Sequence, residues 1–324
     1  MTQEQGFDTP ILLLIYNRPE HTLQVFNEIK KIKPKKLYIS ADGAKSNERD
    51  KALCAQTREI IKAIDWQCEL KTNFYSSNLN CRKAISSGIT WFFEHEEEGI
   101  ILEDDCLPNP SFFNYCSALL EQYRYDYTVG HIGGMNFQNG NTRDKGSYYF
   151  SKYPHIWGWA TWKRSWNLYD REMSDFNFNT FRKLNNQFST FSEKIYWFDK
   201  FLKTYYNEIN TWDYQWLYTQ WKHNLKAITP EVNLICNIGF GKEATHTKSF
   251  FSRKYDFTTK SIKSITSPES YNINKAADNY TYQRNFKRFF VSEWILACFY
   301  TLHFIKHEID TKITFKPQPP LAKA

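Results

Sequence analysis

The chain has 324 residues, of which 41% are hydrophobic and 24% charged, with a net charge of +7. That is enough for one large α/β domain or two modest ones. The mild positive excess suits an anionic partner, a nucleotide diphosphate or an acidic membrane surface, and with no long basic tract or binding motif it gives nucleic acid no support. Residues 10–16, PILLLIY, read as a fully buried strand, and NRPEHT as the turn that opens a helix, with Pro19 in its first turn. Residues 21–32 place Leu23, Phe26 and Ile29 or Ile32 at helical spacing. KKLYISADG is a second strand, residues 51–64 a second helix, CELKTNFYSSNLN a short strand and loop, residues 81–95 a third helix, and GIILEDD a further strand. Strands alternating with helices over this stretch predict a mostly parallel sheet flanked by helices, with its ligand site beyond the carboxyl ends of the strands.

From about Phe112 the pattern loosens. Residues 110–126 read as a helix and HIGGMNFQNG as a turn-rich strand region. Four tryptophans fall between Trp157 and Trp166, and TWDYQWLYTQWKHNL looks helical. The last ~80 residues turn basic, then aromatic. Seven scattered cysteines without a CxxC pair predict neither a disulfide framework nor a zinc cluster, and point to a reducing cytoplasm. The apolar run Ile11 to Ile15 is too short for a signal or a membrane span. No GxGxxG or GxxxxGK[ST] is present. The aromatic share, 18%, fills a core in the plain reading and offers sugar-stacking faces in the functional one.

Three polar clusters fall at predicted strand ends: Asn17-Arg18, Asp42 and Glu103-Asp104-Asp105. An acidic cluster ending a buried strand has a hard-cation reading, because Mg²⁺ or Mn²⁺ takes carboxylate oxygens and shares them with substrate phosphates. The alternative is a helix cap or a solvated loop.

These residues carry a resemblance. ILEDDCLPNPSFFNYC resembles the acidic motif of the GT-A glycosyltransferases, above all the inverting N-acetylglucosaminyltransferase I type and its O-mannose-linked relatives; bacterial polysaccharide glycosyltransferases share the layout. In chain order IYNRPEHT, SADG, NCRKAI, IWGWATWKRSW, TWDYQW and TPEVNLICNIGFGKEATH resemble further motifs of that family, over roughly residues 10 to 250. The resemblance implies a GT-A α/β fold over residues 1–250, with a nucleotide-sugar half (1–110), an acceptor half (111–250) and a helical extension (251–324). It implies that Asp105 holds Mn²⁺ or Mg²⁺ on the diphosphate, with His246 nearby. Asp104 would reach the ribose or a metal-bound water, and Glu103 the donor sugar. Asp42 would accept from N3–H of a uracil-like base, and Arg18 would lie near the phosphates or base. Arg82 is the helix-start arginine. Asn80 stands where the family tends to carry His, and Thr245 where it carries Ser. Gly158 and Trp159 form a loop near donor and acceptor, where glycine allows close approach to a sugar. Asp213 would be the catalytic base, its proton affinity raised by Trp212 and Trp216; its plain reading is a helix cap.

The function so implied is metal-dependent, inverting transfer from a nucleotide-diphosphate sugar, of UDP type, to a glycan or lipid-linked oligosaccharide in bacterial surface polysaccharide synthesis. The alternatives are a sugar-nucleotidyltransferase, which would carry a Gly-rich basic loop where this chain has YNRPEHT, and a non-catalytic glycan-binding protein. The tail joins Arg284, Lys287 and Arg288 to an apolar run from Phe289 to Ile305, short of a membrane span. It reads either as a helix docked on the catalytic domain or as an interfacial helix that places a cytoplasmic enzyme on the inner membrane.

Overall fold

The structure, a computed structural model, describes residues 6–239 and 258–287. Strand β1 (Ile11–Ile15) is apolar at every position because both its faces are covered. Ile11, Leu13 and Ile15 pack with Val25, Phe26 and Ile29 on one side. Leu12 and Leu14 point the other way, to Ile89 and Phe92. Helix α1 (Pro19–Ile32) starts on Pro19, which has no amide hydrogen to leave unpaired, and stops at Lys33, whose φ of 46° is left-handed.

The predicted alternation continues through β2 (Lys36–Ala41), α2 (Glu48–Arg58), β3 (Glu69–Phe74), α3 (Asn80–His95) and β4 (Glu98–Glu103). Helix α2 starts three residues before the expected 51–64. There the Asn47 side chain accepts from the Asp50 N–H, and the helix tightens into a 3₁₀ turn at Glu59–Ala63. These four strands are parallel: β1 pairs with β2 and β4, and β2 with β3.

The second half adds β5 (Cys106–Pro108), α4 (Ser111–Gln122), β6 (Val129–Gly133), β7 (Tyr148–Ser151), β8 (Trp159–Trp162), α5 (Lys163–Trp166), α6 (Phe178–Arg182), α7 (Phe191–Tyr205), α8 (Asp213–Lys222), β9 (Lys226–Pro230), β10 (Ile235–Asn237) and α9 (Lys275–Thr281). The main sheet runs β3-β2-β1-β4-β8-β6-β9-β7. Strand β8 is antiparallel to both neighbours, and β7 to β9, so the α/β fold has a mixed central sheet flanked by helices. A small ladder pairs β10 with β5. Trp159 at the head of β8 is fully buried among Trp166, Trp212 and Trp216. A separate aromatic cluster, with Phe176, Trp197, Phe201 and Trp221, joins α7 and α8.

Within the C-terminal extension, residues 275–286 pack on the main body. Asp278 accepts from Ser151 Oγ at 2.6 Å and from the Lys152 N–H at 3.1 Å. Tyr282 and Phe286 join the α7–α8 aromatic cluster. Thr245, His246 and the tail from Arg288 onward lie outside the described residues. Among the described residues no helix is long and apolar enough to cross a membrane, and six cysteines are free.

Candidate active site

The chain leaves β1 for β2 and β3 on one side and returns to β4 on the other. The carboxyl ends of β1 and β4 therefore border a crevice at the point where strand order reverses, the usual place for a ligand in such sheets. Tyr16, Asn17 and Arg18 follow β1, and Glu103, Asp104 and Asp105 end β4. Arg18 reaches across: its Nη1 lies 2.9 Å from Asp105 Oδ2 and 3.6 Å from Asp104 Oδ1. Burial works against the Arg18 charge, but Asp104 and Asp105 hold its proton more tightly than usual.

Asp104 is nearly buried and accepts from the Tyr16 N–H at 3.3 Å. Burial, and then the Asp105 charge, push its carboxyl from 3.8 up to about 7. Glu103 is pushed well above the usual range by burial, then by Asp105, Asp104 and Asp213. Asp213, the first residue of α8, is thus within electrostatic reach of the acidic cluster. Its Oδ1 accepts from the Tyr214 N–H at 3.0 Å and from Thr211 Oγ1. The Cys81 thiol senses both groups and, chiefly through burial, is pushed up to about 12. Glu103, Asp104 and Asp105 thus act on Arg18, and Asp213 acts on Glu103.

Asp42 ends β2 and organises the next loop. Its Oδ1 accepts from the N–H groups of Gly43 and Leu79, both at 2.8 Å, and its Oδ2 from Asn78 Nδ2 at 2.9 Å. Burial raises its pKa against these donations. Gly43 cannot be larger, because a Cβ there would lie 2.2 Å from the Ser77 carbonyl carbon. Asn80 enters α3 at a φ of 65°, a left-handed conformation that asparagine tolerates better than most non-glycine residues.

Three expected contacts lie elsewhere. The Arg82 guanidinium points at the segment after α7: Nε donates to Thr211 O, Nη2 to Thr204 O and Ile209 O, and Nη1 to the Asn207 side chain. The helix turns its third residue toward the end of α7. Trp159 stacks on Trp212 at 5.6 Å and on His131 at 5.0 Å, with no exposed surface, so its ring is core and offers no face to a sugar. Gly158 has a φ of 59° and makes room for Ile235, whose Cδ1 would lie 2.4 Å from a Cβ. The close approach at this glycine is made by the chain itself.

Asp50 and Asn237 escaped the sequence reading. Asp50 takes the Tyr16 hydroxyl at 2.7 Å, Asn17 Nδ2 at 2.6 Å and the Lys45 N–H at 2.6 Å. Burial raises its proton affinity, but these donors bring it below the usual carboxylate range. The local signal was Asn47 three residues ahead, a helix start that places Asp50 in the first turn. Asn237 donates to Asp105 Oδ1 at 3.3 Å through the β5–β10 ladder, a long-range pairing with no local signal.

Among the described residues no three His, Cys, Asp or Glu side chains stand together as a ready ligand set. The donor chemistry still fits a hard cation that takes one or two carboxylates and completes its shell with water and phosphate oxygens. Asp105 supplies such a carboxylate, and Gly239 leaves room beside it, since a Cβ there would fall 2.1 Å from Oδ2.

No family model matches the sequence, and a comparison with curated proteins finds no match. Among solved structures the chain is similar to a mannosyltransferase from Pyrobaculum calidifontis, in complex with GDP-Man and Mn²⁺, at 14% identity and a TM-score of 0.34, over 51% of this chain and 47% of that one. It therefore spans about half the length of that protein. A UDP-glucose pyrophosphorylase complexed with UDP-glucose matches at 10% identity and a TM-score of 0.31, over 49% and 78% of the two chains. The 4-diphosphocytidyl-2C-methyl-D-erythritol synthase of Anaerococcus prevotii matches at 8% and 0.33, over 59% and 83%. Overlaps this loose decide nothing about chemistry.

Proposed function

We propose that the protein is an inverting glycosyltransferase of the GT-A type, using a nucleotide-diphosphate sugar and a divalent cation. The observation that carries this reading is the Glu103-Asp104-Asp105 run paired with Arg18 at the switch point of the sheet, with Asp213 within electrostatic reach of Glu103. So many carboxylates in one crevice call for a cationic ligand or for protonation, and a metal–diphosphate complex meets the first need.

Asp105 would hold Mn²⁺ or Mg²⁺, which when bound offsets the charge that develops on the leaving diphosphate. Arg18 lies beside it to meet a phosphate oxygen. Asp104 would reach the ribose or a metal-bound water, and Glu103 the donor sugar. Asp42 keeps a lone pair on Oδ2 for N3–H of a uracil-like base, with Asn80 on the same side. Asp213 takes the proton of the acceptor hydroxyl as its oxygen attacks the anomeric carbon, while the bond to the diphosphate breaks on the opposite face. The acceptor class that suits this site is a glycan or lipid-linked oligosaccharide, as in bacterial surface polysaccharide synthesis. Thr245 and His246 belong to the proposal as residues near the phosphates.

The test is Asp213→Asn beside Asp105→Ala. Asp213→Asn should bind UDP with Mn²⁺ normally and lose transfer, or donor hydrolysis, by roughly 10²–10⁴-fold, the usual worth of a positioned base. Asp105→Ala should lose the metal dependence of UDP binding. Normal turnover in both variants would refute the reading.

A further inference from the structure

Arg82 has four hydrogen bonds from one guanidinium, and all of them go to the last turn of α7 or to the connection that follows it and delivers Asp213. Nε donates to Thr211 O at 3.1 Å, and Nη2 to Thr204 O at 3.0 Å and Ile209 O at 2.7 Å; Nη1 holds the Asn207 side chain. The Arg82 N–H also faces Asn210 Oδ1 at 3.4 Å. Residues 204–211 thus wrap around one buried cation. They close α7 with Asn207 in the left-handed region, at a φ of 62°, and Glu208 N–H on Lys203 O at 2.9 Å. They end at Thr211, whose hydroxyl donates to Asp213 Oδ1. At this same end α3 is held by Asp42, through the N–H of its cap residue Leu79. The first turn of this helix therefore joins the carboxylate that ends β2 to the segment that aims Asp213.

We propose that Arg82 is a positioning residue that sets the aim of Asp213 and acts on the proton-transfer step, not on nucleotide binding; this rests on the reading of Asp213 as the base. A guanidinium fork holds carbonyls in fixed directions that an ammonium cannot reproduce, so lysine should not replace it. Small misplacement of a base costs turnover steeply, because proton transfer demands hydrogen-bond reach.

The experiment uses the full chain with Arg82→Lys, Arg82→Met and Asn207→Gly. Glycine accepts the left-handed backbone at 207 and removes only the side-chain partner, so it keeps the proposal testable should the Arg82 variants fail to fold. Binding of UDP with Mn²⁺ is read by tryptophan fluorescence. Hydrolysis is followed with whichever of UDP-glucose, UDP-galactose, UDP-N-acetylglucosamine and GDP-mannose turns over fastest. The expected result is a UDP Kd within about 2-fold of the parent protein, and kcat lower by roughly 10- to 100-fold in both Arg82 variants. Asn207→Gly should show a smaller loss in the same direction. The rising limb of the pH–rate profile should move, and amide exchange across residues 204–211 should quicken. Arg82→Met added to Asp213→Asn should cost nothing more, because both act through one group. A tenfold weaker UDP Kd with unchanged kcat would return Arg82 to the nucleotide and overturn the proposal. So would full additivity in the double variant, or normal turnover of Arg82→Met beside an inactive Asp213→Asn. Full turnover by Asp213→Asn itself would instead sink the base reading, and this proposal with it.

Discussion

Replacing Asp104 by Asn should stabilise the metal-free protein, and increasingly so as pH rises. The Asp104 side chain is 11% exposed, and its pKa stands at about 7 against an ordinary 3.8. Its folded-state pKa is raised, so between these values the folded chain binds more protons than the unfolded one, and the parent protein loses stability as pH climbs through the window. The rise is worth about 4 kcal/mol once the group is ionised in both states, at ~1.4 kcal/mol per factor of ten. Asparagine keeps an oxygen for the Tyr16 N–H and carries no charge. The gain from Asp104→Asn should therefore be under about 1 kcal/mol at pH 4 and about 4 kcal/mol at pH 8. His131 and His155, both held down at about 3 by loss of solvation, push parent stability the other way, upward to about their ordinary 6.5, so the two chains must be compared at each pH. Urea denaturation in EDTA at pH 4, 6 and 8 measures the difference. Mn²⁺ at pH 8 should narrow it by favouring the ionised carboxylate. An Asp104→Asn protein less stable than its parent at pH 8 would refute the reasoning, since burial and crowding would then not be what Asp104 experiences.

Gly43→Ala should destabilise sharply, because its Cβ would meet Ser77 backbone at 2.2 Å; an unchanged Tm would show the loop free to move. Trp159→Ala should cost about 3–5 kcal/mol of stability, as a buried aromatic does, while the folded fraction keeps UDP affinity; selective loss of binding would return Trp159 to the ligand site. Asp50→Ala leaves the Tyr16 hydroxyl and Asn17 amide without their partner and should cost about 2–4 kcal/mol, seen by urea melts. For the tail, anionic vesicles should retain the full chain weakly and less at high salt, and release a chain cut after Lys287. The cut belongs there because Tyr282 and Phe286 are part of the aromatic core. Full-length protein left in the supernatant at low salt would discard the membrane reading.

Much of the first half was legible in the sequence because its signals are local. ILLLI is apolar throughout, as a strand covered on both faces is, and the first helix carries its own start signal at Pro19. Alternation of such elements dictates a parallel sheet, and the sheet places Arg18 and the Glu103–Asp105 run on one crevice. The second half resisted because β7, β8 and β9 are short and every one of their side chains except Lys226 is buried, so neither alternation nor helical period is left to read. What a long polar side chain touches was decided only by tertiary structure. Arg82 is three residues from Leu79, whose N–H meets Asp42, yet the turn of α3 sends its guanidinium to α7. Asn237 finds Asp105 across 132 residues because a three-residue ladder brings it there. Hydrophobic pattern acts at a range of a few residues and sets the elements; charge and hydrogen bonding act through space, and their partners exist only once the elements have packed.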